Sequence, residues 1–118
     1  MDGHRLFIDD IRWGPSTKWT VIRNSRTALI TIDGLRRIGN HIESISFDHD
    51  LGGDDTTRPV VLYLCEHDYW PTNVFVHSQN NVGVEWLSGM VDRYAPSGTL
   101  KRIPGGRWTE HHCTAPKE

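Results

Sequence analysis

Three apolar runs in this chain each end in side chains that can bind cations or move protons. Leu6 to Ile8 leads into Asp9 and Asp10, Ile45 to Phe47 into Asp48, His49 and Asp50, and Val74 to Val76 into His77 and Ser78. Adjacent parallel strands would bring these groups to one edge. Carboxylates crowded there repel unless protonated or paired, and a hard cation removes the conflict. Asp9, Asp10 and Asp48 are the candidate ligands, and an oxygen set that retains waters suits Mg²⁺ or Mn²⁺. Zinc favours more histidine or cysteine than this edge offers.

A cation at that edge would neutralise phosphate oxygens. The candidate catalytic groups are then Asp48, His49 and His77, with Ser78, Asn80 and Arg12 as candidate substrate contacts. Strand alternation sends Asp48 and Asp50 to one side and His49 to the other, so the cluster need not share one ligand. Asp50 is open between a supporting ligand and a turn residue. Blander readings stand beside these. "DHDLGGDD" alone also fits a turn or a helix cap, and His77 alone fits a structural histidine. Asp54 and Asp55 read as solvated loop residues.

Alternating elements must position these groups. Leu6 to Ile8 is a buried strand, and Trp19 to Arg23 a second, separated from it by IRWGPSTK, which is too short to contain a helix. Ala28, Leu29, Ile32, Leu35 and Ile38 recur at helical spacing, with Asn24 or Ser25 as cap and Gly39 as stop. Ile45 and Phe47 alternate with Ser44 and Ser46, a strand ending near Asp48. Thr57 can cap a helix with Pro59 in its first turn. Val74 to Val76 is a continuous apolar strand, Trp86, Leu87, Met90, Val91 and Tyr94 stripe a last helix, and a short strand fits Thr99 to Ile103.

This order predicts an α/β three-layer sandwich with a mostly parallel five-stranded sheet, spanning 1–104, followed by an arm or tail at 105–118. Ligands bind such sheets beyond the carboxyl ends of the strands. The tail's His111, His112 and Cys113 lack further matched zinc ligands, and Trp13, Trp19 and Trp108 can either pack or stack on a base. With 13 basic and 15 acidic residues the chain has no general attraction to nucleic acid or anionic lipid, so a phosphate must be recognised locally. Cys65 and Cys113 differ too much in setting to suggest a disulfide framework, and no apolar run is long enough to span a membrane. A cytoplasmic location is the expectation.

The stretches "LFIDDIR", "ISFDHDLGG" and "VHSQNNVG" together resemble the cyclic-phosphate processing receivers, a small group within the receiver-like (flavodoxin-like) superfamily, over about Leu6 to Tyr94. In ordinary receivers an acidic pair binds Mg²⁺, a central aspartate accepts a phosphoryl group, and a serine or threonine follows the fourth strand. The resemblance implies those places for Asp9 and Asp10, Asp48, and Ser78. It also implies His49 and His77 as the additions that go with cyclic phosphates. Two features depart from the pattern. The receiver lysine that precedes a proline has no counterpart in "TLKRIPGG", where Lys101 or Arg102 is the nearest cation, and the first helix is missing.

The expected activity is a metal-dependent phosphoesterase that opens the cyclic phosphate of an RNA end or nucleotide. Two alternatives belong to other classes: a non-catalytic module that binds a nucleotide, RNA end or protein through the same edge, and a phospho-accepting signalling receiver.

Overall fold

A computed structural model describes residues 3–103 together with Thr109 and Glu110. His111, His112, Cys113 and Trp108 lie outside the described residues. The elements run β1 (His4–Ile8), β2 (Thr20–Ile22), α1 (Ser25–Arg37), β3 (Ile42–Phe47), α2 (Arg58–Glu66), β4 (Asn73–Val76), α3 (Asn81–Tyr94), β5 (Leu100–Arg102) and β6 (Thr109–Glu110). The sheet order is β2-β1-β3-β4-β5-β6, with the first five strands parallel and β6 antiparallel to β5. The expected parallel sheet of five strands is present. A sixth, two-residue strand is added by the segment expected to be an arm, because its backbone pairs with the otherwise open edge of β5.

The crossovers explain the layers. The connections after β2, β3 and β4 all advance in the same direction across the sheet, so right-handed crossovers put their helices on one face. Ala28 and Ile32 of α1, Val60, Val61 and Leu64 of α2, and Leu87 and Val91 of α3 share one core with Leu6, Ile8, Ile45, Phe47, Val74 and Val76. The β1-to-β2 connection runs the opposite way and crosses the other face. It contains no helix, as its length predicts. Where the three-layer expectation places a covering helix, the described residues therefore offer only the loop 9–19, with Trp19 packed edge-on against Phe7 and Phe75.

The register puts Phe7, Ser46 and Phe75 side by side in one row across β1, β3 and β4 on this helix-free face. Two residues further along each strand come Asp9, Asp48 and His77. The amides of Asp48 and His77 continue the ladder to the carbonyls of Ile8 and Phe47. Side chains two apart share a face and neighbouring strands lie about 4.8 Å apart, so the row converges by geometry.

Local chemistry fixes the helix ends that border this edge. Asn24 caps α1 by accepting from the Thr27 amide, and Asn80 caps α3 by accepting from the Gly83 amide. Thr57 departs from the expectation that it caps α2. Its hydroxyl donates instead to the Asp48 carbonyl, tying the helix start to the end of β3. Asp55 is likewise no free loop residue, since its carboxylate accepts from the Ser25 amide and hydroxyl at the start of α1.

Gly83 lies against the His49 ring, where an added Cβ would stand 2.4 Å from its Cγ. Gly83→Ala should therefore overpack this contact at a cost of about 1–3 kcal/mol and lower the thermal midpoint by roughly 4–12 °C. Adding His49→Ala to it should cost less than the two single changes summed, by thermal unfolding followed with circular dichroism.

Candidate active site at the strand ends

Asp9 is 1% exposed, and its charge is answered from inside the protein. One carboxylate oxygen accepts from the amides of Ile11 and Arg12, both at 2.8 Å, as the chain turns out of β1. The other lies 2.9 Å from Nε2 of His77 and 4.0 Å from the Arg12 Nε. Burial raises its pKa, but the Arg12 and Ile11 amides and His77 outweigh it, and Asp9 is held below the usual carboxylate value.

His77 reaches Asp9 from two strands away. Its ring leans across β3 above Ser46, whose side chain is small enough to leave room, and stacks on Phe7 at 4.3 Å and 9°. Ser46 Oγ lies 2.6 Å from His77 Nδ1. Both ring nitrogens are thus held. Burial lowers the His77 pKa against the opposing pull of Asp9 and Asp48, so the ring is neutral near pH 7 and donates one proton. Asp48 has the reverse balance. Burial and the neighbouring Asp9 charge raise its pKa more than His77, the His49 amide and the Ser78 hydroxyl lower it.

Ligand atoms of Asp9, Asp48 and His77 all lie within 4.8 Å of one another, a group that could hold a metal ion. Asp10 is outside this group, its carboxylate lying against the backbone of Gly52, whose φ of +88° lets the loop pass close by. Ser78 is buried beside Asp48, its hydroxyl accepting from the Asn80 amide. Arg12 is half exposed and donates to the His77 carbonyl at 3.1 Å.

Two expected site residues are placed differently. His49 does not face His77 across a shared ligand. Its Nδ1 is 2.9 Å from Asp50, its Nε2 accepts from Arg58 Nε at 2.9 Å, and Gly83 closes its ring face. The alternation that turns Asp48 toward the open face turns His49 toward the helices. Asn80, expected to contact substrate, uses its carbonyl oxygen as the α3 cap and its amide to donate to Asp50. Asp50, left open before, is the clamp of this corner. Hydrogen bonds from Asn80 and His49 hold its pKa down.

A model of the cyclic-phosphate processing receiver domain matches residues 4–93. The chain belongs to that family. Neither a curated protein nor a solved structure matches it. In this family member the Lys101 ammonium is drawn to Asp92 and to Ser88 on α3, while Arg102 pairs with Phe75 and so falls in the row of the helix-free face. Arg12, from the loop that replaces the missing helix, is the cation beside the carboxylates. Ser46 and Arg23 were not singled out from sequence. Ser46 reads as an outward residue of a half-exposed strand, and only its 4% exposure and the His77 ring above it reveal a role. Arg23 donates to the carbonyls of Asp9 and Arg12 and fixes the turn between them. No helix among the described residues is long and apolar enough to cross a membrane.

His77 gives this receiver a pH dependence of stability. Its native pKa lies below the unfolded 6.5, so as pH falls the unfolded chain takes the proton first. Stability attached to His77 is therefore intact above 6.5 and lost as pH falls through 6.5 toward the native pKa. Thermal midpoints measured between about pH 7.5 and 5.5 should fall less steeply in His77→Gln than in the wild type.

Proposed function

We propose that the chain is a metal-dependent phosphoesterase that opens a cyclic phosphate on a nucleotide or an RNA end. The observation that supports this is the row of Asp9, Asp48 and His77, gathered on an edge left open by the missing helix, in a member of the cyclic-phosphate processing family. The donor set fits a divalent cation, since two carboxylates and an imidazole nitrogen converge and burial opposes charge on Asp48. Asp9 and Asp48 would hold it, with Asp10 at the rim. Carboxylates suit Mg²⁺ and Mn²⁺ alike, and the nearby imidazole nitrogen adds to the case for Mn²⁺. Such an ion supplies charge neutralisation at the phosphoryl oxygens and a more acidic water.

The chain's own residues divide the remaining work. The Arg12 guanidinium is a bidentate donor for phosphate oxygens, and its contact with the His77 carbonyl keeps it at the edge. The Ser46 hydroxyl can donate or accept, so His77 can hold either tautomer. With the ring proton on Nε2, His77 donates to Asp9; in the tautomer whose Nδ1–H donates to Ser46 Oγ, Nε2 is free to take the proton of an attacking water. Oxygen from water bonds to phosphorus, one ester P–O bond of the ring breaks, and the proton ends on the released ribose oxygen. A phosphomonoester is the product. His49 supports the site from behind through Asp50 and is a positioning residue.

Hydrolysis of a 2′,3′-cyclic nucleotide should require Mn²⁺ or Mg²⁺, and His77→Gln and Asp48→Asn should each lower kcat by at least about 100-fold. Unchanged turnover in both variants would falsify the assignment. Stoichiometric binding without turnover assigns the non-catalytic reading instead. Independently of activity, Mn²⁺ should raise the thermal midpoint of the wild type. Asp48→Asn should start from a higher midpoint, because a partly buried charge facing Asp9 is gone, and should gain nothing from the ion.

A further inference from the structure

The loop 9–19 leaves two large apolar side chains in water next to the site. Ile11 is 77% exposed and Trp13 80%. Trp13 borders a groove of about 570 Å³ that it shares with Gly14, Ser16, Thr17, Trp19 and Val21. That volume falls within the range of small-molecule sites, and Trp19 and Val21 give it an apolar floor.

The Arg23 guanidinium lies over the Trp13 ring, 4.9 Å from its centre. The same guanidinium donates to the Arg12 carbonyl at 2.7 Å and the Asp9 carbonyl at 3.2 Å. One side chain thus links the indole to the backbone of the residue whose carboxylate lies in the Asp9–Asp48–His77 row. From the groove floor, Trp19 meets Phe7, and Phe7 stacks on His77. Groove and carboxylates share the helix-free face.

We infer that Trp13 is a stacking platform for the nucleobase of a nucleoside cyclic phosphate whose phosphate lies at Arg12 and the carboxylate row. Charge complementarity favours this occupant: Arg12 lies beside the carboxylate row, Arg23 on the platform and Lys18 on the same loop, while the residues lining the groove are uncharged. Arg23 on the indole fixes its plane and strengthens stacking by its charge. Base stacking tolerates any base, so the site reads a nucleoside without choosing strongly among bases. This rests on the cyclic-phosphate reading and assigns the base of that substrate its place on the loop 9–19.

The test titrates wild type, Trp13→Ala and Trp13→Phe by calorimetry with 2′,3′-cyclic AMP and with glycerol 1,2-cyclic phosphate, which has the cyclic ester but no base. Wild type should bind the nucleotide about tenfold or more tighter than the base-free ester. Trp13→Ala should lose that preference while binding the base-free ester as before, and Trp13→Phe should keep most of it. Equal nucleotide affinity in wild type and Trp13→Ala overturns the platform, as does a wild type with no preference for the nucleotide. Turnover of both esters, followed in parallel, separates this result from the phosphoesterase reading. Loss of turnover with the Trp13 dependence of binding intact fails only the phosphoesterase reading, and turnover of both esters without that dependence fails only the platform. A short RNA ending in the same cyclic phosphate distinguishes the source: tighter binding assigns the platform to an RNA end, equal binding to a free nucleotide.

Discussion

A carboxylate removed from water must have its charge balanced from within, and Asp9 at 1% exposure is where this protein meets that demand. The balance comes from three directions. The turn after β1 supplies two amides, β4 sends His77 across the sheet, and the loop supplies Arg12. Each requires something further. The turn is held by Arg23, His77 can lie flat only because β3 has a serine beneath it, and Arg12 can face the site only because no helix occupies that side.

The missing helix is therefore a constraint with consequences for both faces. On one face three helices close a continuous apolar core. On the other, the row Phe7, Ser46 and Phe75 is covered by a loop and an indole, and the row of ionisable groups beyond it opens on the same side. The loop that takes the helix's place brings Arg12 to the carboxylates. On that side the strand ends border aromatic surface, Phe7, Trp19 and Phe75, rather than a helix.

The two histidines show how strand geometry divides similar residues. Both follow apolar runs and both lie near aspartates. His77 is two positions beyond Phe75 and faces the open side, while His49 is one position beyond Asp48 and faces the helices. There Asp50, Arg58 and Gly83 enclose it. Its contribution is to hold the loop after β3 against α3, which in turn fixes the backbone that presents Asp48.

Sequence alone determined the five parallel strands, the three helices, the absence of the first helix and the carboxyl edge as the place where the candidate site residues gather. Those properties are local: apolar period, caps, prolines and the length of a connection are all readable along the chain. It also marked Asp9, Asp48 and His77, because each interrupts an apolar run. Tertiary structure decided which of the marked residues meet. Ser46 looked like an outward strand residue until a ring from β4 was laid over it. Asn80 and His49 had the right types and spacing, but a helix cap and a glycine contact fix them elsewhere, and Asp10 stands outside the Asp9–Asp48–His77 group. A side chain's partner depends on register between strands far apart in sequence, and the chain order does not encode that register in any single stretch.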